Sequence, residues 1–315
     1  MKKFTFLFVS FIALFSSVVF LTFTISEKLA SYHDKKMEIS EALNFEERLM
    51  NVWEWVPLNT IGEEKVELWQ NLEQESIRLY SDAMIYGTIL AGIVLLFVIL
   101  NLLYYRKKDH RLQINGLVLV FAALSFLYLG IQSPFLEIEA YNKDLTFQIP
   151  IDVEFDNMPL IGDIGLGNHH YELDQTFEGR TYYFYQNKSV LELIKLLYTG
   201  GNFLVAICVI LFSIVFPLLK LFSSMIIFMN PHSKTAHRMT PVVVYLGKWS
   251  MADVFISAMF LAVFSFTNMN EGVDTGSTTL IGMYFFLSFV ILSIFSGFVL
   301  KKLVQKKKES TADFI

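Results

Sequence analysis

Long apolar blocks alternate with long polar ones along this 315-residue chain. A bilayer core about 30 Å thick takes roughly 20 apolar residues of helix at 1.5 Å per residue. Six blocks meet that length: 4–25, 83–105, 114–131, 202–228, 249–266 and 279–300. Within them only Lys220 and Asp253 are charged. Lys2 and Lys3 precede the first block, as they would in a signal peptide. Its apolar run is longer than the 7–15 residues of a signal core. The only small-x-small candidate, Lys28-Leu29-Ala30, has a lysine at the outer small position. An uncleaved anchor is therefore expected over a cleaved leader.

The polar blocks carry their own periods. Residues 33–58 and 62–82 read as helix, with Pro57 and Gly62 marking a break between them. Val66, Trp69, Leu72, Ile77, Tyr80 and Met84 recur at near-helical spacing, which predicts one apolar stripe running into span two. The pattern predicts a helical hairpin between spans one and two. Packing is its plainer role; Trp53, Trp55 and Trp69 in a polar context would also serve a partner-docking surface. Residues 145–149 and 151–155 alternate apolar with polar, the period of a half-buried strand, and 181–185 is a third strand candidate. Gly162, Gly165 and Gly167 punctuate the stretch between. Ser189 with Glu192 forms a capping box for a helix leading through Gly200-Gly201 into span four. A small β-containing cap is thus expected over 134–190. The stretches 267–278 and about 20 residues between spans four and five read as loops.

Lysine and arginine in the short loops set orientation. Arg106, Lys107, Lys108 and Arg111 lie between spans two and three; Lys234, Arg238 and Lys248 between spans four and five. Lys301, Lys302, Lys306, Lys307 and Lys308 follow span six. With six spans all these positions, and Lys2 and Lys3, fall on one face. That face is expected to be cytoplasmic, with both termini there, and segments 26–82 and 134–190 on the other side. Composition agrees: 54% hydrophobic, 17% charged and a mean hydropathy of +0.48. Soluble domains carry about 25% charged residues. A net charge of −5 lacks the basic surface that nucleic acid requires. The single cysteine, Cys208, forms no internal disulfide or cysteine-based zinc site and is expected to be buried and inert.

Chemistry is sparse. Lys220 lies about 12 Å of helix rise from the end of span four, and Asp253 about 6 Å into span five. A charge at the centre of a span costs about 2.5–3.5 kcal/mol on insertion scales. Spans adjacent in sequence tend to be neighbours in space, so an ion pair between Lys220 and Asp253 would offset much of that cost. In the alternative each snorkels separately to water. Pro217 one turn earlier frees a backbone carbonyl and opens a polar niche. Ser213, Ser223, Ser224 and Ser250 are near in sequence, though serines also simply allow close packing. Trp249 reads first as an interfacial anchor. His169 and His170, with Glu172 and Asp174, are a weak metal candidate, because adjacent histidines on a strand point to opposite sides. No phosphate loop, nucleophile elbow or zinc-protease helix is present, so neither enzyme chemistry nor a cofactor is expected.

The segment Pro217-Leu-Leu-Lys220, followed by Gly247-Lys-Trp-Ser-Met-Ala-Asp-Val-Phe255, resembles the paraquat-inducible protein A family. Ser133-Pro134 at the end of span three is similar to that family's first-span ending. The resemblance covers roughly 115–300, one four-span module. It implies a bacterial inner-membrane protein with a tetraspanin-like helical module. It also implies lipid loading or unloading beside a mammalian-cell-entry-domain protein that bridges the periplasm, and a polar core at Lys220, Ser250 and Asp253. The chain differs in having one module, no zinc ribbons and a lysine-rich tail.

The expected architecture is an all-α integral membrane protein of six transmembrane helices, with a helical hairpin and a β-containing cap on the outer face. Its regions are 1–112 (two spans and hairpin), 113–303 (four-span module and cap) and 304–315 (basic tail). The expected function is transport of lipid or another hydrophobic molecule, with Lys220, Ser250, Asp253, Pro217 and Trp249 forming the niche. Membrane lipid and a mammalian-cell-entry-domain protein are the expected partners, and nucleic acid is not. The rival is a scaffold whose outer segments bind another envelope protein. A proton or ion path has thin support from one lysine and one acid.

Overall fold

The computed structural model describes residues 2–51, 60–104, 111–154, 168–231, 233–249 and 273–312. Among them, five helical stretches are long and apolar enough to cross a membrane: Ile12–Ala42, Glu67–Leu100, Leu112–Gln132, Phe203–Met229 and Ile281–Gln305. They correspond to five of the six expected spans. The sixth, 249–266, lies outside the described residues save for Trp249. A multi-pass helical membrane protein follows from those five.

Helix α1 (Lys2–Ala42) runs unbroken from the first apolar block through the polar residues beyond it. A short α2 (Phe45–Met50) follows, capped by Asn44, whose side chain accepts from the Glu46 N–H. Helix α3 (Thr60–Tyr104) then returns. The outer hairpin therefore breaks at residues 43–44, where a helix through 33–58 was expected. Gly62 sits inside α3 and does not divide it, while Pro57 lies outside the described residues. Lys28 pairs with Asp82 at 2.7 Å, Lys35 with Glu75 at 3.3 Å and Lys36 with Glu73 at 3.0 Å. One number rises as the other falls, so α1 and α3 are antiparallel. The apolar stripe on α3 is split. Leu72 is buried and Trp69 packs beside it, but Ile77 and Met84 are exposed.

Helix α4 (Arg111–Gln132) leads into the sheet. Strands β1 (Leu136–Glu154) and β2 (Asn168–Lys188) form one antiparallel ribbon, in register from Leu136↔Lys188 out to Glu154↔Asn168. The separate short strands expected at 145–149, 151–155 and 181–185 are pieces of these two, except that Phe155 lies outside the described residues. Nineteen residues of β1 at about 3.3 Å each span roughly 60 Å. The glycines expected at the turn lie outside the described residues. Near its middle the ribbon bulges at Lys143/Leu145. Asp144 adopts φ 51° there, and its carboxylate accepts from the Gly179 N–H at 2.9 Å. A third strand, β3 (Asp274–Thr279), pairs with Leu136–Tyr141. It was expected as loop. Asp-Thr-Gly-Ser-Thr-Thr has no apolar alternation, so β1 recruits it by hydrogen bonding rather than by apolar burial.

Helix α5 (Val190–Thr199) opens with the capping box read from sequence, Ser189 and Glu192 bonding reciprocally. Gly201, at φ 79°, turns the chain into α6 (Phe203–Ile210). A π turn (Leu211–Val215) and α7 (Phe216–Met229) continue that span. The stretch after it, expected as loop, contains α8 (Lys234–Trp249), which buries Ala236 and Val243. Helix α9 (Ile281–Ala312) closes the chain. Phe126, Leu127, Leu129, Phe286 and Phe289 are central to the main core, between α4 and α9. A Cβ on Gly130 would lie 2.8 Å from the Phe286 backbone nitrogen, so the two helices touch there backbone to backbone.

Candidate functional site

Among the described residues of the membrane spans Lys220 is the buried charge, with 9% of its surface exposed. Two local features place it. The Phe216 N–H bonds back five residues to the Leu211 carbonyl, which widens the helix into the π turn. Pro217 follows immediately, in the first turn of α7. It has no N–H to give, and a π turn is where a helix changes its hydrogen-bond register. The span is thus re-aimed one turn above Lys220. Ser213, Ser223 and Ser224 are buried close by in sequence, and the Ser224 hydroxyl donates to the Lys220 carbonyl at 2.8 Å. Among the described residues the ammonium has no ion-pair partner. Ser250 and Asp253 lie outside those residues, and Trp249 is described only as the last residue of α8. The expected Lys220–Asp253 pair is therefore neither met nor excluded. Cys208 is free and half-buried, where a fully buried cysteine was expected.

His169 and His170 pair with Val153 and Asp152 across the ribbon. No group of three or more metal-ligating side chains occurs among the described residues. Trp69, open on sequence to either packing or a docking surface, packs half-buried against a small core of Ile39, Leu43, Leu72 and Tyr182. Trp53 and Trp55 lie outside the described residues.

A second assembly, not read from sequence, is the junction of hairpin and sheet. The Tyr182 N–H donates to the Leu43 carbonyl at 2.9 Å, joining the end of α1 to β2. Arg48, 2% exposed, donates to the Thr181 hydroxyl at 2.9 Å and lies 5.4 Å from the Phe177 ring centre. Phe45 stacks 4.8 Å from Tyr183. Below this contact, the Tyr185 hydroxyl donates to Glu137 at 2.7 Å, and Thr278 of β3 donates to the same carboxylate at 3.3 Å. Burial, then the neighbouring Glu137, hold the Glu139 carboxyl above the usual carboxylate range, with Arg180 at 3.7 Å opposing the shift. Burial pushes the Tyr182 hydroxyl up to about 12, so it stays neutral. Hydropathy carries no signal for such a junction. The sequence signal that could have marked it is Arg48, an arginine directly after Glu46 and Glu47.

The third element is the Ser133-Pro134-Phe135 corner. Phe135 donates to the Lys188 carbonyl at 3.0 Å and accepts from Leu280 at 3.1 Å, while Gly282 donates to the Pro134 carbonyl at 3.0 Å. A Cβ on Gly282 would lie 2.5 Å from that oxygen. One corner therefore clamps the ends of α4, β2 and β3 and the start of α9. Beside it, a polar cavity of about 140 Å³ is lined in part by Ser26, His33, Asp34, Ser133 and Glu192. The His33 Nε2 lies 3.2 Å from the Glu192 carboxylate across it.

Apolar helices with a buried lysine, joined to a strand ribbon at one end, define a multi-pass membrane protein with an ordered extramembrane part. The family model described as paraquat-inducible protein A matches residues 179–303, so that stretch is similar to this family. The match starts within β2 rather than near residue 115, and so leaves out α1 to α4 and β1. Comparisons with curated proteins and with solved structures found no match.

Proposed function

We propose that this protein is an inner-membrane component of lipid or hydrophobic-molecule transport across a bacterial envelope, passing substrate to or from a periplasm-spanning partner. One observation carries the reading: a lysine buried to nine-tenths below a π turn and a proline, with no ion-pair partner among the described residues. Such a cation is costly in hydrocarbon and functional by default. A phosphate headgroup or the Asp253 carboxylate would neutralise it. Alternation between the two would bias helix packing between two states. The lysines and arginines of the short loops support both termini being cytoplasmic, with the sheet and hairpin in the periplasm. A mammalian-cell-entry-domain protein is the partner that the family resemblance implies.

The test uses the full chain in vesicles of phosphatidylethanolamine and phosphatidylglycerol, reading extraction of a fluorescent phospholipid by an acceptor. Lys220→Met and Asp253→Asn should each slow extraction at least tenfold while the protein stays folded. Unchanged rates in both remove the niche from the function. The ribbon supports a second reading, a scaffold that holds another envelope protein. A two-stranded ribbon is marginal in water on its own, yet this one continues well past β3 and α2. In that case Arg48→Ala, not the niche substitutions, would abolish activity in cells.

A further inference from the structure

The lysines and the hydroxyls of α1 face different neighbours. Lys28, Lys35 and Lys36 all reach acids of α3: Asp82, Glu75 and Glu73. Ser26, Ala30, His33 and Asp34 recur at helical spacing, which puts them on another face. That face lines the polar cavity of about 140 Å³, which Ser133 at the α4 corner and Glu192 in the first turn of α5 also border. No lysine or arginine is among its described lining residues. Helix α4 starts at Arg111 and ends at Gln132, which also lines the cavity. The site therefore sits at the depth of the headgroups, at the end of the spans opposite the basic loops.

Its acceptors are unspent. Ser133 is 3% exposed. Its N–H is taken by the Leu129 carbonyl and its own carbonyl abuts Gly282, so the side chain is the part that reaches the cavity. The Ser133 hydroxyl has no hydrogen-bond partner among the described residues, and a buried hydroxyl left so costs about 1–3 kcal/mol. The Ser26 hydroxyl is also unbonded among them, whereas Thr22 and Thr24, a turn before, donate to carbonyls four residues back. Asp34 has no ion pair there either. Glu192 is held in place from two sides: the Ser189 N–H donates to Oε2 at 2.8 Å, and the His33 Nε2 lies 3.2 Å from Oε1. Each of its oxygens keeps a second lone pair. Two carboxylates and two hydroxyls without a lysine or arginine call for a cation rich in N–H donors. A primary ammonium carries three such donors; a quaternary ammonium carries none.

The geometry points to a binding site for the primary ammonium of phosphatidylethanolamine. The ammonium donates to Ser133, Asp34 and Glu192, and the two methylenes lie against Leu29 and Pro134, the apolar part of the lining. At roughly 30 Å³ per heavy atom the cavity admits about four of them, which is the ethanolamine head, and the phosphate stays in the headgroup layer outside. At this depth the lipid, not a soluble amine, is the local source. The occupant bridges α1, the α4 corner and α5. The site goes beyond the transport reading and does not rest on it, since no residue of α7 lines the cavity.

The test titrates the full chain in detergent with phosphatidylethanolamine, its mono- and dimethylated forms and phosphatidylcholine, all with the same acyl chains, and counts bound lipid by native mass spectrometry. The four carry the same charge and differ in N–H donors. Binding should fall with each methyl group, at least tenfold over the series, which tests the site without any substitution. Ser133→Ala combined with Asp34→Asn should remove that preference about tenfold, and Lys220→Met should leave it intact. Free ethanolamine should displace the lipid only at a hundredfold excess or more; displacement at equal concentration assigns the site to a soluble amine and overturns the lipid source. Equal binding of phosphatidylethanolamine and phosphatidylcholine overturns the proposal. So does a preference that survives the Ser133 and Asp34 substitutions, or one that Lys220→Met abolishes. Normal lipid extraction by Lys220→Met would sink the transport reading and leave this preference standing.

Discussion

The membrane part and the extramembrane part are built on opposite plans. In the first, helices meet over broad apolar faces and at glycines, so adhesion is spread over many weak contacts. In the second, a few specific polar contacts close the assembly: Tyr182 to Leu43, Arg48 to Thr181, Tyr185 to Glu137. Spread adhesion tolerates a change of one apolar side chain but not a backbone that cannot approach. Point adhesion is the reverse, since removing one buried donor strands its partner. The Ser133-Pro134-Phe135 corner is where the two plans meet.

The most damaging change should be Gly130→Val. The added carbons meet the Phe286 backbone, which cannot rotate aside, and overpacking of this kind costs about 3 kcal/mol or more. Thermal unfolding in detergent should show the loss; wild-type stability would mean that α4 and α9 do not touch as described. Next comes Arg48→Ala, at about 2–3 kcal/mol, because Thr181 and the Phe177 face stay buried without their partner. Hydrogen exchange should accelerate at the Tyr182 amide and remain slow in α4 and α9. Uniform acceleration would show the two parts to be one cooperative unit.

Lys220→Met tests the exception within the membrane part. With Asp253 as its counter-ion, removing the lysine alone should cost about 3–5 kcal/mol, and adding Asp253→Asn should recover that stability while extraction stays slow; a purely structural lysine would leave extraction by the folded protein unchanged. The smallest effect is titration at the junction. Glu139 binds its proton more tightly folded than unfolded. Docking of the hairpin on the sheet should therefore strengthen as pH falls through its raised value toward the ordinary carboxylate range. Above that value the advantage is lost. Glu139→Gln should flatten this dependence, as read from Tyr182 exchange between pH 5 and 8; an unchanged slope assigns it to another group.

What the sequence determined here is what hydropathy and local hydrogen bonding determine. Five described spans, the Ser189–Glu192 box and the Gly201 turn all stood in the one-dimensional pattern, because each depends on neighbours within a few residues. Apolar alternation likewise announced the strand character of 145–149 and 151–154, and 181–185 also read as strand. Tertiary structure decided the rest. The polar strand β3 exists because β1 offers it backbone partners. The hairpin ends at residue 43 because the Leu43 carbonyl is taken by Tyr182, far along the chain. Trp69 packs against a core that only the docked sheet creates. The apolar groove walled by Val94, Leu119 and Phe295 needs three helices separated by up to two hundred residues. Long-range contacts cost chain entropy that only the assembled whole repays, so no local window of residues contains them.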